Sequence, residues 1–378
     1  MTPEEIELLS ELTIIIPTYN RPLELERAIE YWRDMPVTVH ILDGTPKPSF
    51  EIGTIVSGLV NLTYHSLPTK AHQKFMENYA LRVNEGMSLI KTKFAALLAD
   101  DDFFTVQGLS EALGILSSND KVDAVIGKCA TYHFDKNSIV WGKKYLNWIP
   151  NDLLKDESLA VRVENDAGKH GIYYGILRSE KLKEIHTRAN QFVFSDFRIN
   201  EWIAHHLGLI YCRTEVIDEY LWVRQKALIR NPSYSHKIRS SDPNEQKVLA
   251  EIFSAAIAHI EPSVSAELRS VWTMQKVNLI EERLKAGDLK YTFEVLPKRI
   301  KKLELATKRL IMCFFLKTPR WLQSVLLEFV PRRFLSSVYG EQPPEFESRN
   351  DLARLLTMPR EELRLRANID ISEFAKDV

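Results

Sequence analysis

Phe94-Ala95-Ala96-Leu97-Leu98-Ala99-Asp100-Asp101-Asp102-Phe103-Phe104 is the stretch on which the reading of this chain turns. The first five residues form a continuous short apolar run, the pattern of a central strand covered on both faces. The run stops abruptly in three adjacent aspartates. Like charges at that spacing repel and raise one another's pKa, so grouping them is unfavourable unless something compensates. A hard divalent cation compensates and prefers oxygen ligands. The plainer alternative is a solvated Asp turn that caps the next helix.

Outward from this stretch, the segments alternate between strand and helix patterns. Thr13-Ile14-Ile15-Ile16 is a β-branched run that stops at Pro17, and Thr18 to Arg21 reads as a loop. Pro22 suits the first turn of a helix, in which Leu25, Ala28, Ile29 and Trp32 make one apolar stripe. Val37, Val39 and Ile41 alternate as a second strand ending at Asp43-Gly44, and Leu62 and Tyr64 suggest a third. A helix is expected from Ala71 to Met87, then the strand Phe94 to Leu98, then a helix and strand from Leu109 to Ile126. Residues Cys129 to Gly168, rich in Tyr, Trp, Asn and Lys, are expected to be irregular. Ile172 to Leu177 and Glu219 to Arg224 read as strands, and Asp196 opens a helix over Phe197 to Leu207. The order predicts a doubly wound, mostly parallel α/β sheet with ligands beyond the carboxyl ends of its strands. A polar stretch, Asn231 to Asn244, leads into a mainly helical C-terminal region. The expected domains are therefore residues 1–235 and residues 236–378.

Composition narrows the function. The 378 residues are 45% hydrophobic and 27% charged with a net charge of −1, which gives a sizeable core and no basic field that would steer the chain onto nucleic acid. Cys129, Cys212 and Cys313 fit neither a disulfide framework nor a metal finger. No secretory leader or membrane span is readable, so the expected location is cytoplasmic, with the inner face of a membrane as a peripheral site. With 14 glycines and no glycine-rich phosphate loop, a bound diphosphate must have its charge met by other groups.

Leu12-Thr13-Ile14-Ile15-Ile16-Pro17-Thr18-Tyr19-Asn20-Arg21-Pro22 resembles the opening of the family 2 glycosyltransferases, and Ala99 to Phe104 resembles their DxD segment. The resemblance covers roughly Leu12 to Gln225. It implies a GT-A fold, a nucleotide-sugar donor (most often UDP-linked), bound Mn2+ or Mg2+, and inversion at the anomeric carbon. It implies that Pro17, Thr18, Tyr19, Asn20, Arg21, Asp43, Asp100 and Asp101 bind the donor; Arg82, on the helix before the acidic run, is read apart from the resemblance as a candidate phosphate contact. Asp102 and Asp100 would hold the metal, and Asp196 would take the proton from the acceptor hydroxyl. The acceptor would be a saccharide or a lipid-linked saccharide, in surface polysaccharide or glycolipid synthesis. The chain departs from the family pattern at Leu42, at Ser195, and at Arg224-Gln225-Lys226, where the family can place a metal-binding His; His236 is a distant substitute.

Each of these residues has a plainer reading. Asp196 fits a helix N-cap, Arg82 a solvated helix face, and Tyr173, Tyr174 and Trp222 core aromatics rather than a sugar platform. His205-His206 reads as structural. Lys298 to Arg333 holds ten Lys or Arg against two Glu among bulky apolar residues, which suits a membrane surface or a helical bundle that packs on the catalytic domain or a second copy. Two other functions remain open. One is a degenerate GT-A module that binds nucleotide sugar or a protein partner without transfer. The other is a sugar nucleotidyltransferase, although Pro17 to Pro22 is not the glycine-rich loop such enzymes carry.

Overall fold

The computed structural model describes residues 1–47, 50–70, 75–135, 138–141, 151–166, 171–194, 196–225 and 242–294. Helix α1 (Pro3–Ser10) precedes β1 (Leu12–Thr18), α2 (Pro22–Trp32), β2 (Thr38–Asp43), α3 (Phe50–Ser57), β3 (Leu62–Ser66) and α4 (Phe75–Leu89). Next come β4 (Phe94–Leu97), β5 (Phe103–Phe104), α5 (Val106–Ser118), β6 (Ala124–Asp135), β7 (Ser138–Trp141), α6 (Asn151–Leu154) and α7 (Leu159–Glu164). After a 3-10 turn at Ile172–Tyr174 the chain forms β8 (Ile176–Arg178), α8 (Ser179–Ala189), α9 (Phe197–Tyr211), β9 (Thr214–Gln225), α10 (Pro243–Ile260) and α11 (Ala266–Glu294).

The strands make one sheet in the order β3-β2-β1-β4-β8-β6-β9-β5, with β7 paired to β6. β1 is parallel to β2 and β4, β2 to β3, and β6 to β9. β8 lies antiparallel between β4 and β6, so β1 to β4, β6 and β9 all run in one direction. The result is the mixed α/β architecture with a mostly parallel central sheet that the alternating pattern predicts. Alternate side chains of each buried strand enter opposite layers. Ile14, Ile16, Phe94 and Ala96 pack with α2 and α5 residues such as Trp32 and Leu109. Ile15, Ala95 and Leu97 pack with α4, α8 and α9 residues such as Val83, Ile185 and Ile203.

Two expectations are corrected. Residues 129–135 are not irregular but complete the strand β6, which pairs with β9 through Tyr132 and Gln225. Tyr173 and Tyr174 lie in the 3-10 turn, and the strand after it is confined to Ile176–Arg178. In the first case pairing determines the outcome: Cys129 to Tyr132 pair with β9 and His133 to Asp135 with β7. α10 and α11 share a core with the sheet's helical layer: Leu249, Phe253, Ile257, Trp272 and Ile280 cluster with Ile199, Ile203 and Leu207. The expected boundary at residue 235 and the basic segment 298–333 lie outside the described residues.

Candidate active site

The carboxyl ends of β1, β2 and β4 meet as the sheet topology requires. β1 ends in Thr18, which is buried. Its hydroxyl donates to Asp100 Oδ2 at 2.6 Å. Asn20 then takes a left-handed conformation (φ 53°), which short polar side chains tolerate, and Arg21 follows as the residue preceding α2. The Arg21 guanidinium bridges the acidic run, with Nη1 at 2.6 Å from Asp100 Oδ1 and Nη2 at 2.6 Å from Asp101 Oδ2. Tyr19 is half-buried beside these groups, and the exposed Asn20 donates its backbone N–H to Thr45 Oγ1 at 2.9 Å.

Asp43 ends β2 and is buried. Its Oδ1 accepts from Thr45 N at 2.8 Å and its Oδ2 from the Tyr64 hydroxyl at 2.7 Å. Arg82 is not on a solvated helix face. It is buried behind this rim and donates from Nη1 to Thr18 O at 2.5 Å and Leu42 O at 3.2 Å, tying β1 to β2. A Cβ at Gly44 would lie 2.6 Å from Arg82 Nε, so glycine there leaves room for the Arg82 side chain.

The three aspartates form a turn between β4 and β5, closed by Asp102 N donating to Ala99 O at 3.2 Å. Asp102 is buried and held by β9: Trp222 Nε1 donates to Oδ2 at 2.9 Å and Gln225 N to Oδ1 at 3.0 Å. The Tyr132 hydroxyl donates to Asp101 O at 3.0 Å. Burial pushes the Asp100 carboxyl up to about 7; Asp101 adds to the rise, while Arg21 and Thr18 oppose it. Burial also raises Asp102 well above the usual carboxylate range, against the opposing pull of Arg224, Trp222 and Gln225. Arg21 is desolvated, yet its carboxylate neighbours together hold it more firmly charged than in water.

Asp100 and Asp102 are the expected ligands of Mn2+ or Mg2+, but all four of their carboxylate oxygens accept from protein donors. A cation bridging Asp100 and Asp101 would compete with the Arg21 guanidinium. Among the described residues no group of three or more His, Cys, Asp or Glu is arranged to hold a metal ion. With these contacts made, the side chains do not fit a divalent ion.

Asp196 is the N-cap of α9. Its Oδ1 accepts from Arg198 N at 2.9 Å, and both oxygens are engaged by the Arg198 guanidinium, at 2.5 Å for Oδ2 to Nη2. A different carboxylate of α9 is linked to the acidic turn through two aromatic side chains. Glu201 Oε1 accepts from the Tyr174 hydroxyl at 2.5 Å. The Tyr174 ring stacks on Trp222 with centroids 3.7 Å apart and planes 12° apart, and Trp222 in turn holds Asp102. Arg224 lies over both rings, at 5.4 Å from Trp222 and 5.9 Å from Tyr174. Its charge is reinforced by Tyr174, Asp102 and Glu201 against the cost of burial. Glu201 carried no periodic or motif signal in the sequence, and Arg224 and Gln225 only a departure from the family pattern, because two separate segments, α9 and β9, bring them together. Ser195, Lys226 and His236 lie outside the described residues.

No protein-family profile matches the chain, and no curated protein matches it by sequence. Among solved structures it is similar to S. aureus TarS 1-349 in complex with UDP-GlcNAc, at 14% identity and a TM-score of 0.45 over 71% of this chain and 72% of that one. It is also similar to the mannosyltransferase PcManGT from Pyrobaculum calidifontis in complex with GDP-Man and Mn2+, at 15% identity and a TM-score of 0.37 over 76% of this chain and 80% of that one. Likeness at this level carries no conclusion about activity.

Proposed function

We propose that the chain is an inverting glycosyltransferase of the GT-A type that moves a sugar from a nucleotide-sugar donor to a hydroxyl acceptor. The observation that carries this reading is the convergence of Thr18, Arg21, Asp43 and Asp100 to Asp102 at one sheet rim, with Glu201 linked to Asp102 through two aromatic side chains. In open α/β sheets this rim is where nucleotides bind. The resemblance of Leu12 to Pro22 and of Ala99 to Phe104 to family 2 enzymes points to the same chemistry.

In this reading Thr18, Tyr19 and Asp43 line the nucleoside pocket, and Arg21 and Arg224 supply positive charge to the diphosphate in place of a glycine loop. A carboxylate removes the proton from the acceptor hydroxyl as its oxygen attacks the anomeric carbon. The bond from that carbon to the diphosphate oxygen breaks on the opposite face, and the nucleoside diphosphate departs with the electron pair. Glu201 suits the base role better than Asp196, because Arg198 engages both oxygens of Asp196. Dependence on Mn2+ or Mg2+ belongs to the proposal only if Arg21 gives way to the ion. A saccharide or lipid-linked saccharide acceptor is part of this proposal, as is contact of the C-terminal residues with a membrane or a second copy.

The test is nucleoside diphosphate release from UDP-GlcNAc and GDP-Man, with binding followed by thermal shift. Glu201→Gln is expected to lower turnover by roughly 100-fold or more while donor binding persists, the range usual for loss of a general base. Asp196→Asn is expected to cost far less. Binding of a donor without turnover by the wild type, with any acceptor, would instead mark a binding module.

A further inference from the structure

We propose that Tyr174 and Trp222 act as one positioning unit that fixes Glu201 relative to Asp102. This inference rests on the transferase reading above. Two aromatic rings filling a core need no polar tips, and the usual arrangements are offset or edge-on. Here both tips are used, and they point to different carboxylates: the Tyr174 hydroxyl to Glu201 Oε1 at 2.5 Å, and Trp222 Nε1 to Asp102 Oδ2 at 2.9 Å. The rings between them are nearly parallel, 12° apart, with centroids at 3.7 Å.

Four separate segments meet in this unit: the turn after β4, the 3-10 turn, α9 and β9. Each contributes one side chain to the chain Asp102–Trp222–Tyr174–Glu201. Each ring is set by only two side-chain torsions, so a stacked pair makes a stiff spacer at low entropic cost. The Arg224 guanidinium lies within 6 Å of both ring centroids, 5.9 Å from Tyr174 and 5.4 Å from Trp222. In a displacement with inversion, the base and the groups around the leaving diphosphate must stand on opposite sides of one carbon. A misplacement of about 1 Å can cost on the order of 100-fold in rate. A rigid aromatic strut between the two carboxylates meets that requirement.

The groups around Glu201 include the Tyr174 hydroxyl and Tyr173 from the 3-10 turn, His205 on α9 at 4.0 Å, and the charge of Arg224 from β9. Tyr174→Phe keeps the ring and removes only that bond. For hydrolysis of UDP-GlcNAc or GDP-Man, kcat should then fall about tenfold, with donor KM changed less than about twofold. Trp222→Phe removes the bond to Asp102 and should instead raise donor KM about tenfold. A double-mutant cycle of Tyr174→Phe and Glu201→Ala in urea denaturation reads the coupling of the two groups without any turnover. Additive stability changes in that cycle would overturn the strut. A coupled cycle in a chain that turns over no donor would support the strut and overturn the transferase reading alone.

Discussion

Arg21 carries the electrostatics of the site. Its guanidinium satisfies two carboxylates that would otherwise stand as like charges in a poorly solvated turn. It reaches them because Asn20 turns the chain through a left-handed conformation just before α2 begins. The consequence for metal binding is competitive: an ion at Asp100 and Asp101 must displace Arg21. Arg21→Gln is therefore expected to bind Mn2+ more tightly than the wild type. At Mn2+ ten times the variant's Kd, binding should add about 1.4 kcal/mol to its stability. Thermal melts of both proteins with and without Mn2+ check this; an equal response in the two would show that Arg21 does not guard the carboxylates.

At the scale of elements, the site depends on how closely α4 lies on the sheet. Gly86 faces β1 and β2, and a Cβ there would stand 2.6 Å from Leu42 Cδ1 and 2.7 Å from Ile15 Cγ2. Arg82 is four residues earlier on the same helix and the same face, and holds Thr18 O and Leu42 O. Gly86→Ala gains about 1 kcal/mol of helix propensity but overpacks this contact at a cost of about 1 to 3 kcal/mol. The net expectation is a loss of about 1 kcal/mol, measured by urea denaturation. Weaker donor binding should accompany it, because Arg82 moves with the helix. A more stable Gly86→Ala protein would show that the helix can retreat without cost.

At the scale of the molecule, the C-terminal helices are joined to the sheet layer by buried charge. Lys276 on α11 is fully buried and donates to Asp166 Oδ2 at 2.8 Å and Val163 O at 2.9 Å. His206 Nδ1 lies 2.8 Å from the same Asp166 oxygen. Burial lowers the Lys276 pKa, and Asp166 opposes that shift. Removing one partner of such a group leaves the other charge buried without it, so Lys276→Met should cost about 3 kcal/mol. The double variant Lys276→Met, Asp166→Leu should recover part of that loss. Denaturation of both tests whether α11 is clamped to α7 and α9 by this triad. No helix among the described residues is long and apolar enough to cross a membrane.

The sequence by itself determined the alternation of strands and helices through β4, the loop after β1 and the acidic turn after β4. These are local patterns: a β-branched or apolar run, a period near four, and Pro, Gly or Asp where a strand must stop. It did not carry the strand β6 past Ile126, where Cys129 to Tyr132 pair with β9 and His133 to Asp135 with β7. Nor could it show that Arg198 would engage Asp196, or that Tyr174 and Trp222 would stack between Glu201 and Asp102. The Arg198–Asp196 pair is local, two positions apart, whereas the aromatic link depends on contacts between residues 27 and 120 positions apart. No local periodicity encodes which side chains meet across a sheet rim; only the packing of one element on another decides it.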